Sequence, residues 1–133
     1  MPEPREAADR ITAGRNRSGG DIVKARFVRL DVSEAPDGVE TATAATDNLH
    51  GVSMSAIVDG ANGDIMLTGL ARIEAGAAVA VGVRVMSDGQ GRAILGVPAA
   101  GVANGGTSKT AASQAGDIIE VELAGPGALL PVS

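Results

Sequence analysis

His50 is the only histidine of the chain, and it lies close in sequence to Asp47, Asn48 and Ser53. A serine, a histidine and a carboxylate are the groups of a nucleophilic hydrolase, in which the imidazole takes the proton of the hydroxyl and the carboxylate orients the imidazole. A single histidine beside a turn is more often a surface residue than a general base. We therefore predict no catalytic residue and keep a hydrolase at His50 and Ser53 as an alternative.

Three glycine-containing segments resemble sites for other chemistry, but none has the required spacing. Residues 101–106 precede a lysine, as in a phosphate-binding loop, yet Lys109 comes three residues after the second glycine instead of directly after it. Residues 51–55 lack the last glycine of a nucleophile elbow. Residues 59–64 lack the glutamate and the acid spacing of a calcium loop. We therefore predict no cofactor and no metal ion, and a hairpin turn at 59–63.

The composition excludes several other classes of site. Cysteine is absent, which excludes disulfides and thiolate metal sites. Phe27 is the only aromatic residue, so the chain has no stacking platform for single-stranded nucleic acid. No apolar run approaches the length of about 18 residues that a membrane span needs. Glu120 and Glu122 share one face of a predicted strand, which indicates a polar surface instead of a glycosidase site. We predict no direct nucleic-acid partner and no membrane partner.

Charge is distributed unevenly along the chain. Residues 1–29 carry seven bases and four acids, whereas residues 30–133 carry four bases and twelve acids. A basic segment therefore precedes an acidic body, and such a segment can reach an acidic partner surface or remain a solvated terminus.

The elements that must position these residues are mostly strands, because apolar and polar residues alternate with a period of two. The alternation predicts strands at 22–32, 51–58, 65–73, 78–86, 92–97 and 117–123, and a short strand around 40–44 within a loop over 33–50. Along 22–32 the alternation reverses its phase, which is typical of a β-bulge or of a strand that passes between two environments. One face is predicted to hold Ile65, Leu67, Gly69, Ala71 and Ile73, and another Val79, Val81, Val83 and Val85. Residues 98–112 are predicted to be a loop.

Short strands separated by Gly, Asn and Asp turns predict an all-β protein, a small barrel or sandwich. The tripeptide Gly-Asp-Ile recurs at 20–22, 63–65 and 116–118, where the aspartate is expected to accept hydrogen bonds from turn amides. Residues 1–21 are polar and end near a Ser-Gly-Gly junction, with a short helical turn predicted at 4–12. We therefore predict an extended basic N-terminal arm at 1–21 and a single β domain at 22–133.

Three stretches carry a resemblance to a known family: GDIMLTGLARIEAGAAV at 63–79, GVRVMSDGQGRA at 82–93 and AASQAGDIIEV at 111–121. These stretches contain, in order, a strand that ends in Glu-Ala-Gly, an Asp-x-x-Gly-Arg-Ala hairpin and a closing strand that begins with Ala-Gly-Asp. Over residues 51–124 this pattern resembles the small capsid cement (head decoration) proteins of tailed bacteriophages.

The resemblance implies a β-barrel or β-tulip-like domain on the outer surface of an icosahedral phage head, made in the host cytoplasm. It implies a structural virion protein without enzymatic activity, whose partners are the major capsid protein and, in a homotrimer, further copies of itself. The residues expected to bind the capsid are Arg5, Arg10, Ile11, Arg15 and Arg17, and those expected at the oligomer interface are Leu129, Leu130 and Val132. A head–tail joining protein or other minor virion protein, and a small non-viral β-barrel binding module, are the alternatives.

Overall fold

The computed structural model describes residues 6–16, 18–30, 38–47, 49–97, 99 and 101–130, and these residues form an all-β fold. The strands are β1 (Ala7–Asn16), β2 (Phe27–Leu30), β3 (Gly38–Thr41), β4 (Leu49–Ser53), β5 (Asn62–Glu74), β6 (Arg84–Ser87), β7 (Ala93–Leu95), β8 (Gly106–Ser108) and β9 (Ile118–Leu123). The described residues contain no helix that is long and apolar enough to cross a membrane. The predicted all-β class is therefore confirmed.

The nine strands form one mixed sheet in the order β1-β3-β2-β4-β5-β9-β8-β6-β7, and β1 also pairs with β5. β1 and β3 run parallel, and the other pairs of strands are antiparallel. Five strands are thus joined in a circuit of pairings, and β9, β8, β6 and β7 continue from β5 as an open extension. The sheet as a whole is a partial ring.

Two apolar clusters form the core, and β5 contributes to both of them. The smaller cluster consists of Ile22, Val28, Val39, Ile57, Ile65 and Leu67. The larger cluster surrounds Phe27 and includes Met66, Ala71 and Ile73 of β5. Neighbouring side chains of a strand point to opposite faces, so Ile65 and Leu67 face one cluster and Met66 faces the other.

The prediction that Ile65, Leu67, Gly69, Ala71 and Ile73 share one face is wrong, because the first two and the last two lie in different clusters. The phase changes near Gly69, whose φ of 124° is in the left-handed region. The β1–β5 register also shifts here, on either side of Arg10. Glycine permits this backbone, which a side chain would strain.

The extended N-terminal arm and the helical turn at 4–12 are not what the described residues show. Residues 7–16 form β1, which pairs antiparallel with residues 62–70 of β5. The alternation of apolar and polar residues does not predict this pairing, because β1 is polar and mostly exposed and its two buried residues are Gly14 and Asn16. The division into residues 1–21 and 22–133 stays a prediction.

The strand predicted at 78–86 is mostly absent, since β6 begins at Arg84. Val79 is buried and forms an isolated bridge with Ala112, whereas Val81 is 60% exposed. The Ser108 hydroxyl donates to the carbonyl oxygen of Ala80 at 2.6 Å and accepts from the Val83 N–H at 3.1 Å, which holds the chain in a turn. β8 itself lies within the segment predicted to be a loop.

The hairpin predicted around residues 87–91 is confirmed, because β6 and β7 pair antiparallel and the Asp88 carboxylate accepts the N–H groups of Gln90 and Arg92. The phase reversal predicted within 22–32 is confirmed between Phe27 and Val28, which lie in the larger and the smaller cluster, and the β2–β4 register shifts between Val28 and Arg29. Before β2 begins, Ala25 adopts a φ of 64°, a conformation that is strained for a residue with a side chain.

Candidate functional site

β1 presents most of the side chains that the sequence singled out for binding. Gly14 and Asn16 face the interior, whereas Ile11, Ala13 and Arg15 are exposed on the opposite face. This division follows from the two-residue period of a strand. Ile11 is 50% exposed, one of nine large apolar side chains that are exposed among the described residues.

The first half of β1 is exposed on both faces. Ala7, Ala8, Asp9, Arg10 and Ile11 are all exposed, although the strand remains paired with β5. Register shifts on either side of Arg10 leave Asp9 without a partner in the ladder. Opposite this bulge, a Cβ on Gly69 would lie 2.7 Å from the Asp9 nitrogen. The bulge therefore requires glycine at position 69, and it places Arg10 on the surface near Ile11.

The structure thus brings Arg10, Ile11 and Arg15 together on one exposed strand, which we call the β1 face. Arg5 and Arg17 lie outside the described residues. Within the described part of the chain, neither Arg10 nor Arg15 forms an ion pair within 4 Å. Their guanidinium groups are therefore open to carboxylates of another molecule.

Asn16 fixes the end of β1, and the sequence analysis did not identify it. Its side chain is fully buried, and Nδ2 donates to the carbonyl oxygens of Gly20 at 2.7 Å and Ile57 at 2.8 Å. Its Oδ1 accepts from the Ser18 N–H at 3.0 Å and the Ser18 hydroxyl at 2.7 Å. At the other end of the strand, Glu6 lies 3.6 Å from a guanidinium nitrogen of Arg72.

An open groove borders the first half of β1, and its lining combines apolar and charged side chains. Leu70 and Leu123 lie in the groove, and Asp9 and the Lys109–Glu122 ion pair, 3.2 Å apart, line it as well. Asp9 is the β1 residue in this lining, and Arg10, Ile11 and Arg15 lie outside it.

The residues predicted for an oligomer interface are placed differently from one another. Leu129 is 60% exposed, whereas Leu130 is 3% exposed and its N–H donates to the Val102 carbonyl oxygen at 2.8 Å. Leu130 therefore packs against its own chain. Val132 lies outside the described residues.

The alternative hydrolase site is not assembled. Ser53 is buried, and its hydroxyl donates to the Val23 carbonyl oxygen at 2.7 Å. Asp47 pairs with Arg29 at 2.8 Å and accepts the Thr43 and Ala44 N–H groups. Burial acts against the charge of Asp47, but these hydrogen bonds outweigh it and lower the pKa of the carboxyl group. The His50 ring forms no hydrogen bond with any described residue.

His50 is half-buried on β4, and burial lowers the pKa of its imidazole below the ordinary value of 6.5. It lies at a shift of the β2–β4 register, where Leu49 pairs with Arg29 and Gly51 pairs with Val28, and the Ser53 hydroxyl is bound to Val23 instead of the imidazole. Among the described residues no group of three or more histidine or acidic side chains is arranged to hold a metal ion.

Comparisons with known proteins agree with a binding role. A family model described as "Phage cement protein" matches residues 15–123. No curated protein sequence matches the chain. Among solved structures, the head fiber gp8.5 N base of bacteriophage phi29 is similar, with a TM-score of 0.67 and 16% sequence identity. The match covers 91% of this chain and 97% of that chain, and at this identity it shows that the two share a fold.

Proposed function

This chain belongs to the phage cement protein family, and we propose that the β1 face is the surface by which it binds the capsid. Phage cement proteins are structural, non-enzymatic proteins that bind the capsid, and this chain is accordingly a capsid decoration protein of the head surface. The observation that supports the β1 face is the exposure of Arg10, Ile11 and Arg15 on one strand that its own chain holds in place.

The chemistry of the β1 face fits an acidic, partly apolar surface on the major capsid protein. Guanidinium groups pair with carboxylates in a planar, two-bond geometry. An exposed ion pair stabilises by only about 0–1 kcal/mol, so two arginines give a weak contact in one copy. Burial of Ile11 adds an apolar contribution of the order of 1–2 kcal/mol. Many copies on one shell add these small contributions together.

We further propose that the protein is a homotrimer and that residues 1–21 supply capsid-binding side chains from within the same sheet as residues 22–133. Leu129 supports the trimer, because burial of a large apolar side chain that is 60% exposed in one subunit would stabilise contact with another. The circuit of pairings among β1, β3, β2, β4 and β5 supports a β-tulip-like description of the sheet.

The test of the β1 face is binding to phage heads that lack this protein. We expect the double variant Arg10→Glu/Arg15→Glu to bind about tenfold more weakly than the wild type, a change of ~1.4 kcal/mol. Cosedimentation of the protein with heads over a range of protein concentrations measures this difference.

The matched control is Lys24→Glu/Arg84→Glu, which changes the net charge equally at two exposed residues away from β1. Equal weakening by both double variants would show a general charge effect and would contradict the β1 face. If the wild type itself does not bind the heads, the capsid proposal fails as a whole.

A further inference from the structure

A small cavity beneath His50 lies where β4 meets the segment 124–130. The cavity holds about 10 Å³, which is room for about one water molecule. Phe27, Leu67 and Leu123 line it together with the imidazole, and Gly125 of the segment is part of the same lining. An ionisable ring is therefore packed among apolar side chains at the place where the segment lies against the sheet.

Few interactions hold the segment 124–130 in this position. The Gly127 N–H donates to the Leu49 carbonyl oxygen at 3.1 Å, directly beside His50. The Asn104 N–H donates to the Ala128 carbonyl oxygen at 2.9 Å, and the Leu130 N–H donates to the Val102 carbonyl oxygen at 2.8 Å. Gly125 and Gly127 both have positive φ angles, so the backbone at the start of the segment has the conformational freedom of glycine.

Among the described residues, no charged side chain beside the cavity compensates a positive charge on His50. β4 itself carries no charged residue, and neither do residues 101–106 and 124–130. Arg29 of β2 lies opposite Leu49, and it is paired with Asp47 and Glu40. Glu122 of β9 lines the groove beside β1 instead of this cavity, and it pairs with Lys109. The Asn104 side chain in the cavity lining already accepts the Gly106 N–H.

We propose that protonation of His50 releases the segment 124–130 from β4, which makes this contact an acid-sensitive latch. An imidazolium ion needs full hydration or an anion around it, and the half-buried ring, beside a cavity with room for about one water molecule, has neither among the described residues. The open position lets more water reach the ring and leaves Leu130, which is 3% exposed when the segment is closed, exposed to solvent. The lowered pKa of His50 means that the closed position favours the neutral ring, so protonation favours the open position.

Amide hydrogen exchange tests the latch. We expect the protection factors of Gly127 and Leu130, corrected for the intrinsic rate at each pH, to fall several-fold between pH 7.5 and pH 5. The amides of Val79 and Ala112, which bond to each other's carbonyl groups away from His50, serve as the internal control and should keep their protection. In His50→Gln the two segment amides should be insensitive to this change of pH.

A second measurement does not depend on a folded variant. His50 is the only histidine, so its ring protons report one titration in the wild type. The midpoint of that titration should coincide with the midpoint of the loss of protection at Gly127 and Leu130. Unchanged protection at pH 5, or an equal loss in His50→Gln, would overturn the proposal, because the ring would then reach water without moving the segment.

Discussion

Asn16 determines where β1 ends, because its buried amide bonds to three different parts of the backbone and side chains around it. Replacing it with alanine removes one of two donors from each of the Gly20 and Ile57 carbonyl oxygens, which also accept from the Ser18 hydroxyl and the Ile22 N–H, and it removes the acceptor of the Ser18 N–H. Each hydrogen bond lost in this way costs about 0.5–1.5 kcal/mol. We expect Asn16→Ala to lower the melting temperature by several degrees, measured by calorimetry.

Asn62→Ala is the control for this substitution, since Asn62 is an exposed asparagine on the paired strand β5. It should change the melting temperature by less than about 2 °C, which corresponds to a few tenths of a kcal/mol. A similar decrease in both variants would show that the amide hydrogen bonds of Asn16 are unimportant.

At the scale of residues, the sequence predicts local turn chemistry well and long-range hydrogen bonds poorly. Asp117 accepts the N–H groups of Ser113 and Gln114, as the Gly-Asp-Ile pattern indicates, and these bonds lower the pKa of its carboxyl group. Asp21 instead accepts the N–H of Asp59, which lies 38 residues away. The partner of Asn16 at Ile57 is 41 residues away. Such partners are set by the fold, so no local pattern reveals them.

At the scale of elements, Gly69 lies opposite the bulge in β1 and at the point where the buried face of β5 changes. A Cβ at position 69 would meet the backbone of Ala7 and Asp9, and the φ of 124° adds backbone strain. We expect Gly69→Ala to displace the first half of β1 from β5. Hydrogen exchange of residues 7–11 should become faster while β9 remains protected.

Gly116→Ala separates strain from steric contact. Gly116 has a φ of 97°, but a Cβ there would meet no atom within 4 Å. This variant should lose some stability and keep β1 in place. If β1 is displaced equally in both variants, the contact between Gly69 and β1 is not what positions the strand.

Alternation in the sequence predicts strands where one face is buried throughout, as in β9 and in the β6–β7 hairpin. It fails in β1, because a strand exposed on both faces has the composition of a solvated terminus. It also fails at 78–83, where alternating valines do not all reach the core and Val81 remains exposed. In each half of β5 apolar and polar residues alternate as in a half-buried strand. The two halves bury their apolar side chains in different clusters, which the alternation does not reveal.

At the scale of the whole molecule, the trimer predicts a mass of three times 13.1 kDa in solution. We expect light scattering to give this mass for the wild type and a monomer for Leu129→Asp. Val81→Asp is the control, because Val81 is also 60% exposed and lies in the turn before β6. A wild-type monomer at every concentration, or trimers for both variants, would contradict an interface at Leu129.

The family and the all-β class were accessible from the sequence because the turn motifs at 63–121 are local. The family model extends from residue 15 to residue 123, which includes residues that the resemblance left out. The position of β1 was not accessible, since it depends on a free edge of β5 that exists only in the folded protein.

The pairing of β1 with β5 also gives the protein a direction of mechanical strength. Hydrogen bonds between antiparallel strands lie perpendicular to the strands. A pull along β1 therefore loads the whole ladder from Ala7 to Arg15 at once, whereas a pull across it opens the pairs one after another from the exposed end. On our proposal that the capsid binds the β1 face, strain along the strand meets the greater resistance, and the orientation of this one strand then sets which deformations of the head the protein opposes.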